Sequence, residues 1–155
     1  FESLGYISGI NDPDEALDRM KGAQNHAWTD IDRDGDLDLL VGGRDQGGGR
    51  PNFLFRNDIG QDNGWLAVEL EGDGDQINRD AIGARVTLRW DDELLMKEKK
   101  SSRGMYNSED TRVLHFGLGT RDCDYTVEIR WPDGTTQELS SDEVPPGSFT
   151  RITYP

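Results

Sequence analysis

Five aspartates fall within nine residues in Asp30-Ile31-Asp32-Arg33-Asp34-Gly35-Asp36-Leu37-Asp38, and Arg33 is the only cation among them. Carboxylates one residue apart repel each other, so a compact loop of this sequence calls for a cation to fill it. The spacing D-x-D-x-D-G-x-x-D offers what calcium takes: several hard oxygens in a flexible shell, with a glycine after the third ligand to allow the sharp turn. The pattern assigns Asp30, Asp32, Asp34 and Asp38 as side-chain ligands, and Asp36 as a ligand through its backbone carbonyl. The competing reading is a solvated acidic turn that holds no ion.

The flanks limit what kind of calcium loop this is. A helix–loop–helix hand needs a bidentate Glu at the twelfth loop position, which here is Val41. The loop runs instead into Leu37-Asp38-Leu39-Leu40-Val41-Gly42-Gly43, an apolar stretch that reads as a buried strand and a turn. His26 and Trp28 alternate with Asp30, as on a strand entering the loop, and a hard oxygen-ligated site does not call for the His26 imidazole. Trp28 to Gly42 as a whole resembles the FG-GAP/VCBS-type repeat, one blade of a calcium-dependent β-propeller. Pro51-Asn52-Phe53-Leu54-Phe55-Arg56-Asn57, a further short strand, resembles the N-x-L-x-x-N segment that completes such a blade.

Seventeen basic and thirty-one acidic residues give a net charge of −14. Such a surface repels phosphate backbones and anionic lipid, which argues against nucleic acid as a partner, and attracts divalent cations and basic partners. No apolar run approaches membrane-spanning length, so membrane insertion is not expected. The lone cysteine, Cys123, excludes an intrachain disulfide and reads as a small strand or turn residue. The chain begins at Phe1 without a leader pattern, as expected of a mature form or an excerpt of a longer protein.

Before the loop the signals are weak. Gly5–Ile10 reads as a strand, Asn11–Asp14 as a turn, and Glu15–Gly22 as a short helix with Ala16, Leu17 and Met20 on one side. Gly47-Gly48-Gly49 is a loop, and the polar stretch from Ile59 to Gly64 marks a boundary between a segment over 1–60 and a domain over 64–155.

From Trp65 onward the period is two. Leu66, Val68 and Leu70 share a face, with Ala67, Glu69 and Glu71 opposite. Ala84, Val86, Leu88 and Trp90 oppose Arg85, Thr87 and Arg89, and Tyr125, Val127, Ile129 and Trp131 oppose Thr126, Glu128 and Arg130. This alternation describes antiparallel strands with one buried and one wet face. Trp131-Pro132-Asp133-Gly134-Thr135 is a hairpin turn, and further strands are expected over Leu94–Lys100, Val113–Leu118 and Phe149–Tyr154. About seven strands in ninety residues fit a β-sandwich, since a single sheet would leave its apolar face exposed. The expected fold is all-β: an antiparallel β-sandwich preceded by a partial, propeller-like calcium-binding repeat.

Three ordered segments carry a second resemblance. Asn78-Arg79-Asp80-Ala81-Ile82-Gly83-Ala84-Arg85-Val86, Val113-Leu114-His115-Phe116-Gly117-Leu118-Gly119 and Val127-Glu128-Ile129-Arg130-Trp131-Pro132-Asp133-Gly134 are similar to the ASPIC/UnbV domain, over roughly residues 64–140. The resemblance implies a place C-terminal to FG-GAP/VCBS repeats in extracellular proteins, and no established catalytic activity.

Two further sites are candidates. Asp73, Asp75, Asn78 and Asp80 offer oxygens for a second calcium, or else make the hydrogen bonds of a polar turn. Arg103, Tyr106 and Asn107 offer a contact surface for a sugar or a partner loop, or else pack. His115 alternates with Val113 and reads as a hydrogen-bonding strand residue, and no serine or cysteine stands in a nucleophile context. The expectation is a non-enzymatic, calcium-stabilised module, extracellular or periplasmic, that binds or adheres to an unidentified protein or glycan through the sandwich. The alternative is a carbohydrate-binding accessory module of a polysaccharide-active enzyme, with Trp65 and Tyr106 as its aromatics. A single blade has edges that need neighbours, whether further repeats, the sandwich or a second copy.

Overall fold

The computed structural model describes residues 25–42, 52–57, 63–102, 111–121 and 124–155. The expected strand over Gly5–Ile10, the helical segment over Glu15–Gly22, Cys123 and the Arg103, Tyr106 and Asn107 contact surface lie outside them. The chain divides into two compact units, Phe1–Gln61 with Ser102–Thr111 and Asp62–Ser101 with Arg112–Pro155.

In the first unit, β1 (Asn25–Thr29), β2 (Asp38–Gly42) and β3 (Asn52–Phe55) form an antiparallel sheet in that order. Thr29 pairs with Asp38 at the mouth of the acidic loop, so the β1–β2 register brings the loop's two ends together. Val41 pairs with Phe53 across β2 and β3, and both side chains are buried.

The second unit holds β4 (Gly64–Glu71), β5 (Arg85–Arg89), β6 (Leu94–Glu98), β7 (Val113–Gly119), β8 (Thr126–Arg130), β9 (Thr136–Ser140) and β10 (Phe149–Thr153). They form two sheets, β10-β4-β7 and β6-β5-β8-β9. One core joins them: Leu66, Val68, Leu70, Phe116 and Ile152 from the first sheet pack with Val86, Leu88, Val127 and Ile129 from the second. Each such side chain contributes about 1.5–3 kcal/mol by leaving water. The fold is therefore an all-β sandwich, with no helix among the described residues.

Three details depart from simple alternation. β10 runs parallel to β4, with Ile152 beside Leu70, whereas antiparallel pairing was expected throughout. These are the first and last strands of the unit, and parallel neighbours need the long connection that this separation provides. Ala67, expected on the wet face, is fully buried. It lies in register between Phe149 and His115, and the Trp65 ring spans that row, stacked on His115 at 5.9 Å and edge-on to Phe149 at 5.3 Å. Thr87 is also buried on the outer face, between Met96 and Glu128 on the neighbouring strands. No helix of the described residues is long and apolar enough to cross a membrane.

Candidate metal centre

The acidic loop leaves β1 and returns on β2. Gly35 has a φ of 100°, which only glycine adopts without strain, and Arg33, two residues earlier, also has a left-handed φ of 63°. This coil folds the carboxylates inward. One oxygen each from Asp30, Asp32 and Asp38 lie within 4.8 Å of one another. Opposite ligands around calcium stand about 5 Å apart, so this spread fits a single ion.

The remaining contacts show how the cage is held. Asp30 Oδ2 accepts the Gly35 N–H at 3.0 Å, and Asp34 Oδ1 accepts the Asp36 N–H at 2.9 Å. Asp38 is 1% exposed. Its Oδ2 accepts the Ile31 N–H at 2.8 Å and its Oδ1 the Asn57 N–H at 2.9 Å. It thereby ties the loop to the segment just after β3. Arg56, the residue before Asn57, approaches Asp32 at 3.7 Å. Asp34 stands outside the converging group of three.

Asp36, expected to serve through its carbonyl, also buries its side chain. Its Oδ2 is buried with no hydrogen-bond donor. Burial raises the Asp36 pKa above its ordinary value, reinforced by the carboxylates of Asp34, Asp30, Asp38 and Asp32. Burial, then Asp34 and Asp38, likewise raise that of Asp32, against a backbone N–H and Arg56. Packed carboxylates that resist ionisation are the electrostatic counterpart of a site shaped for a cation. The donor set is all oxygen, as a hard divalent ion requires.

The other expected sites are arranged differently. Asp73 Oδ1 accepts the N–H of Ile77 at 3.0 Å and those of Asp75 and Gln76 at 3.1 Å, which lowers the Asp73 pKa. Asn78 bonds both the N–H and the carbonyl of Ile82. These are turn-forming bonds, and Asp73, Asp75 and Asp80 do not converge as the first group does. Trp65 has one face stacked on His115 rather than open as a platform for sugar.

One feature escaped the sequence reading. A cleft of about 690 Å³ opens on the sandwich between the β5–β6 turn and the start of β8, with Trp90 and Tyr125 among its lining. Asp91 and Asp92 form the tip of a turn closed by the Trp90 N–H and the Glu93 carbonyl at 2.9 Å. Arg89 and Thr126 pair beside this turn, Glu138 lies in the row of Thr87 and Glu128, and no local motif announces the cleft.

The family described as ASPIC and UnbV matches residues 74–155. Cartilage acidic protein 1 of Mus musculus is 32% identical over 153 residues, covering 92% of this chain and 21% of that protein. The Homo sapiens protein of the same name is 31% identical over 153 residues, with the same coverage. The Xenopus tropicalis one is 32% identical over 139 residues, 83% of this chain and 19% of its own. The chain thus spans about a fifth of the length of these curated relatives. A match over more than half of its residues, on the sandwich that carries all three quoted segments, makes this chain a member of the ASPIC/UnbV family.

Proposed function

We propose that the chain is a non-enzymatic binding module whose first unit is held by one calcium ion. The observation that carries this reading is the convergence of Asp30, Asp32 and Asp38 within 4.8 Å between β1 and β2. The buried Asp36 oxygen that lacks a donor supports it. A divalent cation would offset the burial and the carboxylate repulsion that raise the pKa values of Asp32 and Asp36. Because an unfolded loop cannot gather these ligands, binding energy becomes folding energy.

On this reading the first unit is one FG-GAP/VCBS-type repeat, supported by its succession of strand, acidic loop and two further strands. Its edge strands β1 and β3 would pair with further repeats or with a second copy. The location is extracellular or periplasmic. The relatives are named for cartilage and for acidity, and this chain carries a charge of −14. Calcium outside cells matches the affinity of extracellular modules, on the order of 10⁻⁴ to 10⁻³ M. Ligand binding or adhesion falls to the sandwich.

Calcium titration of metal-stripped protein by calorimetry tests the site. A single ion per chain is expected for the wild type and none for Asp32→Ala. Absence of any binding heat in the wild type over the millimolar range, with no shift in its melting temperature, would overturn the reading. A stoichiometry near two would bring the Asp73 loop back as a second site.

A further inference from the structure

The four-stranded sheet of the sandwich ends on β6, and that edge is apolar. Leu94 and Met96 are 56% and 51% exposed, more than any other large hydrophobic side chain among the described residues. β9, at the opposite edge, turns the polar Thr136, Glu138 and Ser140 outward instead. We propose that β6 pairs with β6 of a second copy, antiparallel about a two-fold axis at Met96, joining two four-stranded sheets into one. This goes beyond the calcium reading and does not rest on it.

The backbone of β6 is in phase for such pairing. The Trp90 N–H donates to the Glu93 carbonyl at 2.9 Å and the Lys99 N–H to the Ala84 carbonyl at 2.8 Å. Alternate residues of an antiparallel strand bond a given neighbour, so Leu95 and Lys97, opposite Leu88 and Val86, continue that series toward β5. The N–H and carbonyl groups of Leu94, Met96 and Glu98 therefore point away from β5, and no described strand pairs with them. A two-fold axis at Met96 sets Met96 against its own copy and Leu94 against the copy's Glu98. Outward groups then meet outward groups, and three pairs exchanging two bonds each would form about six hydrogen bonds.

Charge along the strand is self-complementary about the same point. Asp91, Asp92 and Glu93 precede it, and Lys97, Lys99 and Lys100 follow. The axis at Met96 places Asp92 opposite the copy's Lys100, in the outward row of Leu94, Met96 and Glu98. Lys100 already pairs with Glu98 of its own chain at 3.5 Å, so Asp92 would complete an ion-pair network at each end of the joint. Moving the axis by one residue loses this. At Leu95 it sets Glu98 against the copy's Asp92, and at Lys97 it sets Lys97 against itself, and like charges directly opposite destabilise a sheet.

The side chains of the edge fit the same joint. Sheet edges are commonly guarded by a proline, a bulge or a lysine. β6 has no proline and keeps a regular register with β5, and the Lys97 ammonium is drawn to 5.7 Å from the centre of the Phe116 ring. Across the two-fold axis Met96 would lie beside its own copy and diagonal to the copy's Leu94, removing apolar surface of both from water. A joint of one short strand per chain is of the size that gives a weak, reversible dimer.

The test is analytical ultracentrifugation of the intact chain from about 10 μM to about 1 mM. Salt is held at about 0.15 M, where a screening length of about 8 Å mutes the net charge of −14 but spares the facing pairs. Reversible conversion from one chain to two is expected, with slower hydrogen exchange at the amides of Leu94, Met96 and Glu98 as concentration rises. Met96→Lys, at an exposed position, is expected to weaken the dimer about tenfold or more and to leave the melting temperature of the dilute chain unchanged. Asp92→Lys sets like charges together at both ends and is expected to cost about tenfold, and adding Lys100→Asp to it is expected to restore affinity to within about twofold. A chain that stays single at every concentration would overturn the proposal, leaving the edge to a strand of a different protein. So would a dimer whose three edge amides exchange unchanged, as one joined through β1 or β3 would show, undiminished dimer in Met96→Lys, or a double variant as weak as Asp92→Lys alone. Failure of the calcium reading appears in the calcium titration instead, so the two fail separately.

Discussion

Asp38 at the start of β2 accepts the backbone N–H of Asn57 at 2.9 Å, nineteen residues on, two residues past β3. Its other oxygen accepts the Ile31 N–H. Asp38 is therefore a structural anchor whether or not an ion is bound. Asp38→Ala would strand two amides and is expected to cost about 3 kcal/mol in urea unfolding even in chelator. Asp32→Ala removes a repelled carboxylate and is expected to cost nothing in chelator, losing only the stabilisation that calcium brings. Equal losses for the two in chelator would contradict this division of roles.

Tyr125 is buried, and its hydroxyl donates to the Val144 carbonyl at 2.7 Å. This bond fastens the chain after β9 to the start of β8. Tyr125→Phe keeps the ring but leaves a buried carbonyl without its donor. A loss of about 1–2 kcal/mol in unfolding free energy is expected. An unchanged denaturation midpoint would show that the carbonyl finds water.

Much of the sandwich was legible because its core strands alternate cleanly. Leu66, Val68 and Leu70, then Val86 and Leu88, then Val127 and Ile129, face one core as their spacing implies. Alternation is blind to what covers the opposite face. Ala67 is buried there because Trp65, His115 and Phe149 come from three strands that meet only in the folded sheet. It is equally blind to the parallel pairing of β4 with β10, which sequence separation permits but does not dictate. In the loop, the carboxylate spacing and the Gly35 turn were readable. The two backbone bonds of Asp38 and the burial of the Asp36 carboxylate were not, since both depend on how the loop closes on its flanking strands.

Two glycines make opposite expectations. A Cβ at Gly72 would collide with the Asn78 carbonyl oxygen, within backbone that cannot easily move. Gly72→Ala is expected to cost about 2 kcal/mol or more. Nothing lies within 4 Å of a Cβ at Gly117, on the exposed side of β7. Gly117→Ala is expected to be neutral or to stabilise by about 0.5 kcal/mol, by restricting the unfolded chain. Thermal melts of the two variants check the contrast.

Asp133 accepts the Thr135 hydroxyl at 2.7 Å and the Tyr154 hydroxyl at 2.8 Å, and in that order these bonds lower its pKa below the ordinary 3.8. The folded chain then binds fewer protons here than the unfolded one. Its stabilising effect is present above pH 3.8 and is lost as pH falls through the depressed value. Asp133→Asn is expected to flatten that part of the acid-unfolding profile while leaving the slope at neutral pH unchanged. An unaltered profile would mean that the hydroxyl bonds are not formed in solution.

The most direct test of the proposal that calcium holds the first unit is amide hydrogen exchange across β1, β2 and β3, in calcium and in chelator. Slower exchange in calcium is expected at the loop amides of Ile31 and Gly35 and along β2, with the difference abolished in Asp32→Ala. Identical exchange in the two conditions, at calcium concentrations up to the millimolar range, would contradict a structural ion among Asp30, Asp32 and Asp38.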